Sequence, residues 1–152
     1  MKKIASFTVD HDTLERGMYI SRIDGDVVTY DIRMKKPNGG DYLGTAEAHT
    51  IEHLFATYAR NTKEGSDVIY VGPMGCRTGF YFLTRDTVSS ERAIEIVKET
   101  MDFIVGFEGD IPGNSSKECG NYLEHDLDGA KAVAGDMSAV LKCWKTGDLQ
   151  YK

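Results

Sequence analysis

The dipeptide Asp24-Gly25 constrains the fold more than any other feature of the sequence. It lies between two runs rich in β-branched and aromatic residues, 17–23 and 26–34, and a two-residue link of this composition is typical of a β-hairpin. Arg33 falls on the polar face of the second run. Alternate residues of that run are apolar and predict a buried face, made of Val28, Tyr30, Ile32 and Met34.

A second hairpin and three helices are predicted downstream. Residues 68–71 and 79–83 have strand composition, and the Gly- and Pro-rich turn 72–76 between them places Cys76 at a strand end. Thr45 is expected to cap the first helix. Apolar residues at helical spacing predict helices over 45–60, from Ser89 to near Gly106, and over about 127–145.

The order of these elements indicates the fold class. Hairpins with helices inserted between and after them, without regular βαβ alternation, are typical of α+β proteins. A chain of 152 residues can bury most of its apolar surface as one domain. We therefore expect a single domain over residues 1–152. Its antiparallel sheet of four or five strands would be packed on one face by about three helices, as an α/β sandwich.

Composition indicates the expected cellular compartment and the classes of partner that the protein can bind. No apolar run reaches the ~18 residues of a membrane span, and no signal peptide precedes the first acidic residues. Three widely spaced cysteines suit a reducing compartment, so a cytoplasmic protein is expected. The net charge is -6, and basic residues never cluster beyond Lys35-Lys36, so nucleic acid is not an expected partner.

The segment His49-Thr50-Ile51-Glu52-His53 is the sharpest motif. Side chains four apart on a helix lie one above the other, so the two imidazoles can close on one metal ion. Glu52 lies on the same side of the helix, where a carboxylate can move protons. The plainer alternative is a pair of surface histidines beside a solvated charge.

A two-histidine site needs at least one further ligand. Cys143, near a helix end, is expected to pack in the core, and His125 is expected at the surface. Cys76 and Cys119 both lie in Gly-containing turns, so one could bind the ion while the other acts as a thiolate base. The sequence pattern leaves these two roles open. The full set of candidates is Cys76, Cys119, Cys143, His11, His125 and scattered carboxylates.

Two resemblances extend the motif. His-x-x-Glu-His is similar to the motif of inverted-zincin peptidases, over five residues only. Five blocks in order resemble the S-ribosylhomocysteine lyase family, also called LuxS or autoinducer-2 synthase, over nearly the whole chain. They are Ser6-Phe7-x-x-Asp10-His11, Asp31-Ile32-Arg33, His49 to Leu54, Pro73 to Tyr81, and Glu118-Cys119-Gly120-Asn121.

The second resemblance implies a specific metal site and reaction. The metal would be divalent, natively ferrous iron replaceable by zinc or cobalt, held by His49, His53, Cys119 and a water. Cys76 and Glu52 would be the acid/base pair. The family cleaves S-ribosylhomocysteine to homocysteine and 4,5-dihydroxy-2,3-pentanedione, the autoinducer-2 precursor, by aldose-ketose isomerisation and β-elimination, without an external redox cofactor.

The resemblance also implies a homodimer with two identical sites at the interface. Ser6 and His11 would come from the partner chain and help to hold substrate beside Arg33. One departure is the run Tyr70-Val71-Gly72, where relatives commonly carry Asp-Ile-Ser. This difference removes a carboxylate on the substrate side and bears on substrate affinity more than on chemistry.

Rival interpretations use the same residues. In a small metallopeptidase, Glu52 would activate a metal-bound water. In a non-catalytic binding protein, the metal would only staple the helix to the long loop 106–120. His11 has a plainer reading as a satisfied turn histidine, and Arg33 as the partner of Asp31 or of another exposed acid.

Overall fold

The computed structural model describes all 152 residues and confirms the α+β class. Its four strands form one antiparallel sheet in the order β1-β2-β4-β3. Short 3-10 turns lie at Ala5–Phe7, Gly65–Asp67 and Thr146–Asp148. The main elements are β1 Gly17–Asp24, β2 Val27–Arg33, α1 Thr45–Arg60, β3 Val68–Pro73, β4 Gly79–Arg85, α2 Ser90–Val105 and α3 Leu127–Leu141.

The N-terminal hairpin is confirmed, with its turn one residue later than predicted. Asp24 pairs with Val27, so the two linking residues are Gly25 and Asp26. Gly25 has a φ of 60°, a left-handed conformation that glycine adopts without a steric penalty. The turn therefore centres on the glycine, and Asp24 closes the strand.

All three helices share one hydrophobic core with one face of the sheet. The predicted apolar face of β2 is buried, with Tyr30 and Ile32 opposite Phe82 and Phe80 of β4. These residues belong to the same cluster of 28 buried side chains as Phe55 of α1. The other face of the sheet carries no helix, and residues of both chain termini lie against it. None of the helices combines the length and apolarity that spanning a membrane would require.

Each helix begins with backbone N–H groups that need acceptors. In α1 the cap is Gly44 rather than Thr45, and Glu47 accepts from the Gly44 N–H at 2.7 Å. Ser89 accepts from Arg92 at the start of α2, and Asp126 plays the same part for α3. Helix α2 begins after Ser89 and ends before Gly106, as predicted.

The end of α3 corrects one prediction. The helix stops at Leu141, four residues earlier than expected, so Cys143 is exposed instead of packing in the core. Trp144 nevertheless turns inward and donates from Nε1 to the Met18 carbonyl at 2.9 Å. Its ring covers Gly17, where a Cβ would come within 2.2 Å of it. The C-terminal segment is thereby fastened to β1.

Candidate metal and acid/base site

Helix α1 presents His49 and His53 as a pair, with ring centroids 4.6 Å apart. The Nδ1 atoms lie 2.6 Å and 2.7 Å from the carbonyl oxygens of Glu124 and Pro112 respectively. A carbonyl oxygen only accepts, so each Nδ1 carries the proton and each Nε2 keeps a free lone pair. Metal-binding histidines commonly donate their other ring N–H to a carbonyl oxygen in this way, and both acceptors come from the loop between α2 and α3.

Cys119 joins the pair from the same loop. Its Sγ lies 3.4 Å from the Nε2 of His49 and also receives the backbone N–H of Asn121 at 3.4 Å. Nitrogen and sulfur ligands of one tetrahedral ion are about 3.5 Å apart, given bond lengths of about 2.0 and 2.3 Å. The spacing of these two donor atoms therefore fits a shared metal ion.

His125 also belongs to the cluster, which corrects its predicted place at the surface. Its ring stacks on His49 with centroids 4.1 Å apart and stands edge-on to His53 at 4.9 Å. One ring nitrogen from each of the three histidines lies within 4.8 Å of the others. Burial lowers the pKa of His125, and the neighbouring imidazoles lower it further, which favours its neutral form.

Thr50 determines which nitrogen of His125 is free. Its hydroxyl donates to the Ala46 carbonyl, so it must accept from the Asp126 N–H and from the Nδ1 of His125, at 2.9 Å each. The Nε2 of His125 is then a buried lone pair without a hydrogen-bond partner. Three imidazoles and one thiol are a donor set that divalent transition metals accept, so the cluster could bind such an ion.

Glu52 lies one residue before His53 and is half-buried on α1. Its helical position places it on the side of α1 that carries the two histidines, as the sequence predicts. The opposite side is fully buried in the core through Ile51, Leu54 and Phe55. The helix thus has one packing face and one chemical face.

Cys76 lies in the turn between β3 and β4, where Arg77 has a left-handed φ of 60°. The thiol is exposed, and its Sγ lies 3.0 Å from the hydroxyl oxygen of Thr78. Arg33 donates to that hydroxyl at 2.7 Å, and its Nη1 lies 4.0 Å from the sulfur. The guanidinium of Arg33 and the hydroxyl of Thr78 therefore both lie beside the Cys76 sulfur.

The partner of Arg33 is Asp31, as the plainer reading supposed, but the pair is buried instead of exposed. Asp31 accepts from Nε at 3.1 Å and from Nη2 at 2.6 Å, and the two side chains are 1% and 3% exposed. Burial alone lowers the pKa of Arg33, whereas the hydrogen bonds and charge of Asp31 raise it and prevail. Arg33 is therefore a fixed cation beside Cys76.

The predicted substrate residues line two different cavities. His11 faces the cavity of about 350 Å³ that contains Cys76, together with Tyr42 and Thr78. Its Nδ1 lies 2.8 Å from the Val9 carbonyl, so it is both a satisfied turn histidine and free at Nε2. Ser6 lines another cavity of about 350 Å³, on the sheet face that no helix covers. Within one chain, His11 and Arg33 lie near Cys76 and Ser6 does not, so His11 reaches this cavity without the partner chain that the resemblance implied.

Sequence reasoning missed Thr50 and Tyr151, and it named His125 as a candidate ligand but expected it at the surface. Thr50 lies inside the helical motif, and its position between the two histidines was the available signal. His125 and Tyr151 carried no local signal, because His125 contacts Thr50 across 75 positions of the chain and the Tyr151 hydroxyl donates to Asp31 across 120 positions.

Comparison with known proteins assigns the chain to a family. The family model described as S-Ribosylhomocysteinase (LuxS) matches residues 4–146. The S-ribosylhomocysteine lyase of Phocaeicola vulgatus is 53% identical over 86% of this chain and 84% of its own length. Those of Clostridium acetobutylicum and Borreliella burgdorferi are 47% and 44% identical over 99% of both chains. The resemblance in five blocks is thereby confirmed, and the chain belongs to the S-ribosylhomocysteinase (LuxS) family.

Proposed function

We propose that this chain is a metal-dependent S-ribosylhomocysteine lyase, which converts S-ribosylhomocysteine to homocysteine and 4,5-dihydroxy-2,3-pentanedione. The observations that carry the proposal are the close grouping of ring nitrogens from His49, His53 and His125, the Cys119 sulfur 3.4 Å from the His49 Nε2, and the match to this family. The small-metallopeptidase alternative is supported by only five residues, whereas the family match spans 4–146.

In this proposal His49, His53 and Cys119 hold the metal. Once bound, the ion supplies Lewis acidity to the carbonyl and hydroxyl oxygens of the open-chain sugar. Two imidazoles and a thiolate accept iron, zinc or cobalt, and ferrous iron is the proposed native ion. His125, stacked on His49, keeps that ring in its orientation through the contacts described above.

Cys76 and Glu52 move the protons. The Cys76 thiolate removes a proton beside the sugar carbonyl and returns it to the neighbouring carbon, which shifts the carbonyl along the chain. Glu52 serves the later shift and the elimination. There it takes the proton next to the new carbonyl while the carbon–sulfur bond breaks and homocysteine leaves as its thiolate. Substrate and products balance without any oxidant or reductant.

Arg33 and His11 would hold substrate in the cavity beside Cys76, and Ser6 would act on the site of a partner chain. The reason is that Ser6 of the same chain lines a different cavity. That cavity is bordered by exposed apolar side chains, with Ile4 55% and Tyr70 53% exposed, which suits a covered interface. We therefore propose a homodimer that acts on a small molecule. From the composition and charge we also propose a cytoplasmic location and no nucleic-acid or membrane partners.

The structure gives a packing reason for the run at 70–72, where relatives commonly carry Asp-Ile-Ser. The Tyr70 side chain lies over Gly72, because a Cβ at residue 72 would be 2.2 Å from the Tyr70 hydroxyl. The two residues therefore form a matched pair, and a larger side chain at 72 would displace the tyrosine. We propose that the pair sets substrate affinity at this edge of the sheet.

The test is release of free thiol from S-ribosylhomocysteine by anaerobically purified protein. Cys76→Ala and Glu52→Gln should each lower kcat by about 10²- to 10⁴-fold, the range for loss of a general base. Cys143→Ala is the matched control, since it removes an exposed thiol outside the site and should keep full activity. Full activity in both site variants would discard the proposed proton-transfer roles.

A further inference from the structure

The C-terminal segment reaches the Cys76 site through a chain of polar contacts. The Tyr151 hydroxyl donates to Asp31 Oδ2 at 2.7 Å, and that oxygen also accepts from Arg33 Nη2 at 2.6 Å. Arg33 Nη1, the other end of the same guanidinium, reaches Thr78 and faces Cys76. Tyr151 lies beyond the residues 4–146 that the family model matches.

The C-terminal segment is held against β1 by a backbone hydrogen bond and by aromatic packing. Ile20 of β1 donates its backbone N–H to the Leu149 carbonyl at 2.8 Å, and the Leu149 side chain is 1% exposed. The Tyr151 ring stacks on Tyr19 with centroids 5.1 Å apart, and Tyr19 stands edge-on to Trp144 at 5.7 Å. The phenol is thus fixed by aromatic packing, and its hydroxyl is the polar atom aimed at the ion pair.

We propose that Tyr151 is a positioning residue for Cys76, acting through Asp31 and Arg33. The Tyr151 hydroxyl donates a hydrogen bond to Asp31 and so partly offsets the negative charge of the carboxylate. The positive charge of Arg33 is then less compensated by Asp31 and acts more strongly on the Cys76 sulfur. The hydroxyl also fixes the carboxylate against which the guanidinium is oriented. Loss of the hydroxyl removes both effects, and both changes make the thiolate less stable.

The direction of the hydrogen bond supports this role. Burial raises the pKa of Tyr151 far above its ordinary value, and the charge of Asp31 raises it further. The hydroxyl therefore remains a donor at every pH at which a thiol can be assayed. The other titratable groups facing Cys76 are His11 and Tyr42 in its cavity and Tyr81 on β4.

Because the inference rests on the proposed role of Cys76 as a base, its test includes a readout that needs no turnover. Metal-loaded protein in a Cys143→Ala background is alkylated with iodoacetamide across a pH series, and modification of Cys76 is followed by peptide mass spectrometry. In Tyr151→Phe the half-maximal pH of alkylation should rise by about half a unit to one unit. The kcat for thiol release should fall by about 3- to 10-fold at neutral pH.

Tyr58→Phe is the matched control. Its hydroxyl also donates to a carboxylate, Glu99, at 3.1 Å, on the far side of the core. An unchanged alkylation profile in Tyr151→Phe, with or without a lower melting temperature, would overturn the inference and leave the lyase proposal standing. A shifted profile in protein that releases no thiol would support the network and reject the proposed function instead. An equal shift in Tyr58→Phe would show a general loss of rigidity and overturn the inference.

Discussion

Replacement of Asp31 by alanine tests how far this fold depends on its buried ion pair. The carboxylate accepts two hydrogen bonds from Arg33 and one from Tyr151, at 3.1, 2.6 and 2.7 Å. Asp31→Ala removes all these acceptors at once. It leaves a guanidinium that is 3% exposed without its counter-charge.

The magnitude follows from burial. Removing one partner of a buried ion pair costs about 3–5 kcal/mol, because the remaining charge is neither paired nor hydrated. With a urea m value of about 2 kcal/mol per molar, the unfolding midpoint should fall by roughly 1.5–2.5 M. For a chain of this size the melting temperature should fall by roughly 6–20 °C.

The chain contains its own control for this experiment. Arg22 and Asp24 have the same spacing and the same two-pronged contact, with both hydrogen bonds at 2.6 Å. Their side chains, however, are 54% and 52% exposed. Water solvates each of these charges when the other is removed, so Asp24→Ala should leave the midpoint unchanged.

Urea unfolding of both variants is followed by circular dichroism and by fluorescence of Trp144, the single tryptophan. All samples are metal-free and at one protein concentration, since binding of a metal or a second chain shifts apparent stability. If Asp31→Ala lowers the midpoint no more than Asp24→Ala does, burial does not control the energetics of this pair and the reasoning is refuted.

Three further predictions concern the metal site and the helix contacts. Cys119→Ala should lower metal affinity at least about 100-fold in chelator competition while the fold survives, and unchanged affinity would reject this ligand. Gly113→Ala should lower both stability and metal affinity, because φ is 74° and a Cβ would lie 3.2 Å from the ring of His53. Gly109→Ala, with φ 101° and no atom within 4 Å, should lower stability alone. A hydrogen bond from Arg92 of α2 lowers the pKa of Glu64, so Glu64 binds a proton less readily in the folded state than in the unfolded state. The stability advantage of the wild type over Glu64→Gln should therefore be full above pH 4.5, the ordinary value, and disappear as pH falls below it in urea titrations.

Local patterns predicted the parts of this molecule that local physics determines. The periodicity of α1 separates Phe55 from His53, and that separation depends only on helix geometry. The strand alternation that buried Tyr30 is equally local. Such features persist in any fold that retains the helix and the strand.

The remaining features depend on contacts between distant segments. Cys143 is exposed because α3 ends early, which apolar spacing alone could not indicate. Arg33 was correctly placed on the polar face of β2, but its burial depends on the C-terminal segment that covers that face. His125 reaches His49 and His53 because the residues before α3 fold back onto α1. No local pattern of charge or hydrophobicity encodes these approaches.

The division of the metal donors between α1 and the later loop has a consequence for biosynthesis. His53 emerges from the ribosome roughly 66 residues ahead of Cys119, an interval of roughly 3–13 s at usual rates of translation. During that time the imidazoles lack both their carbonyl acceptors and the thiol. If His49, His53 and Cys119 are the ligands, the complete donor set therefore exists only after the loop that carries Cys119 has been synthesised.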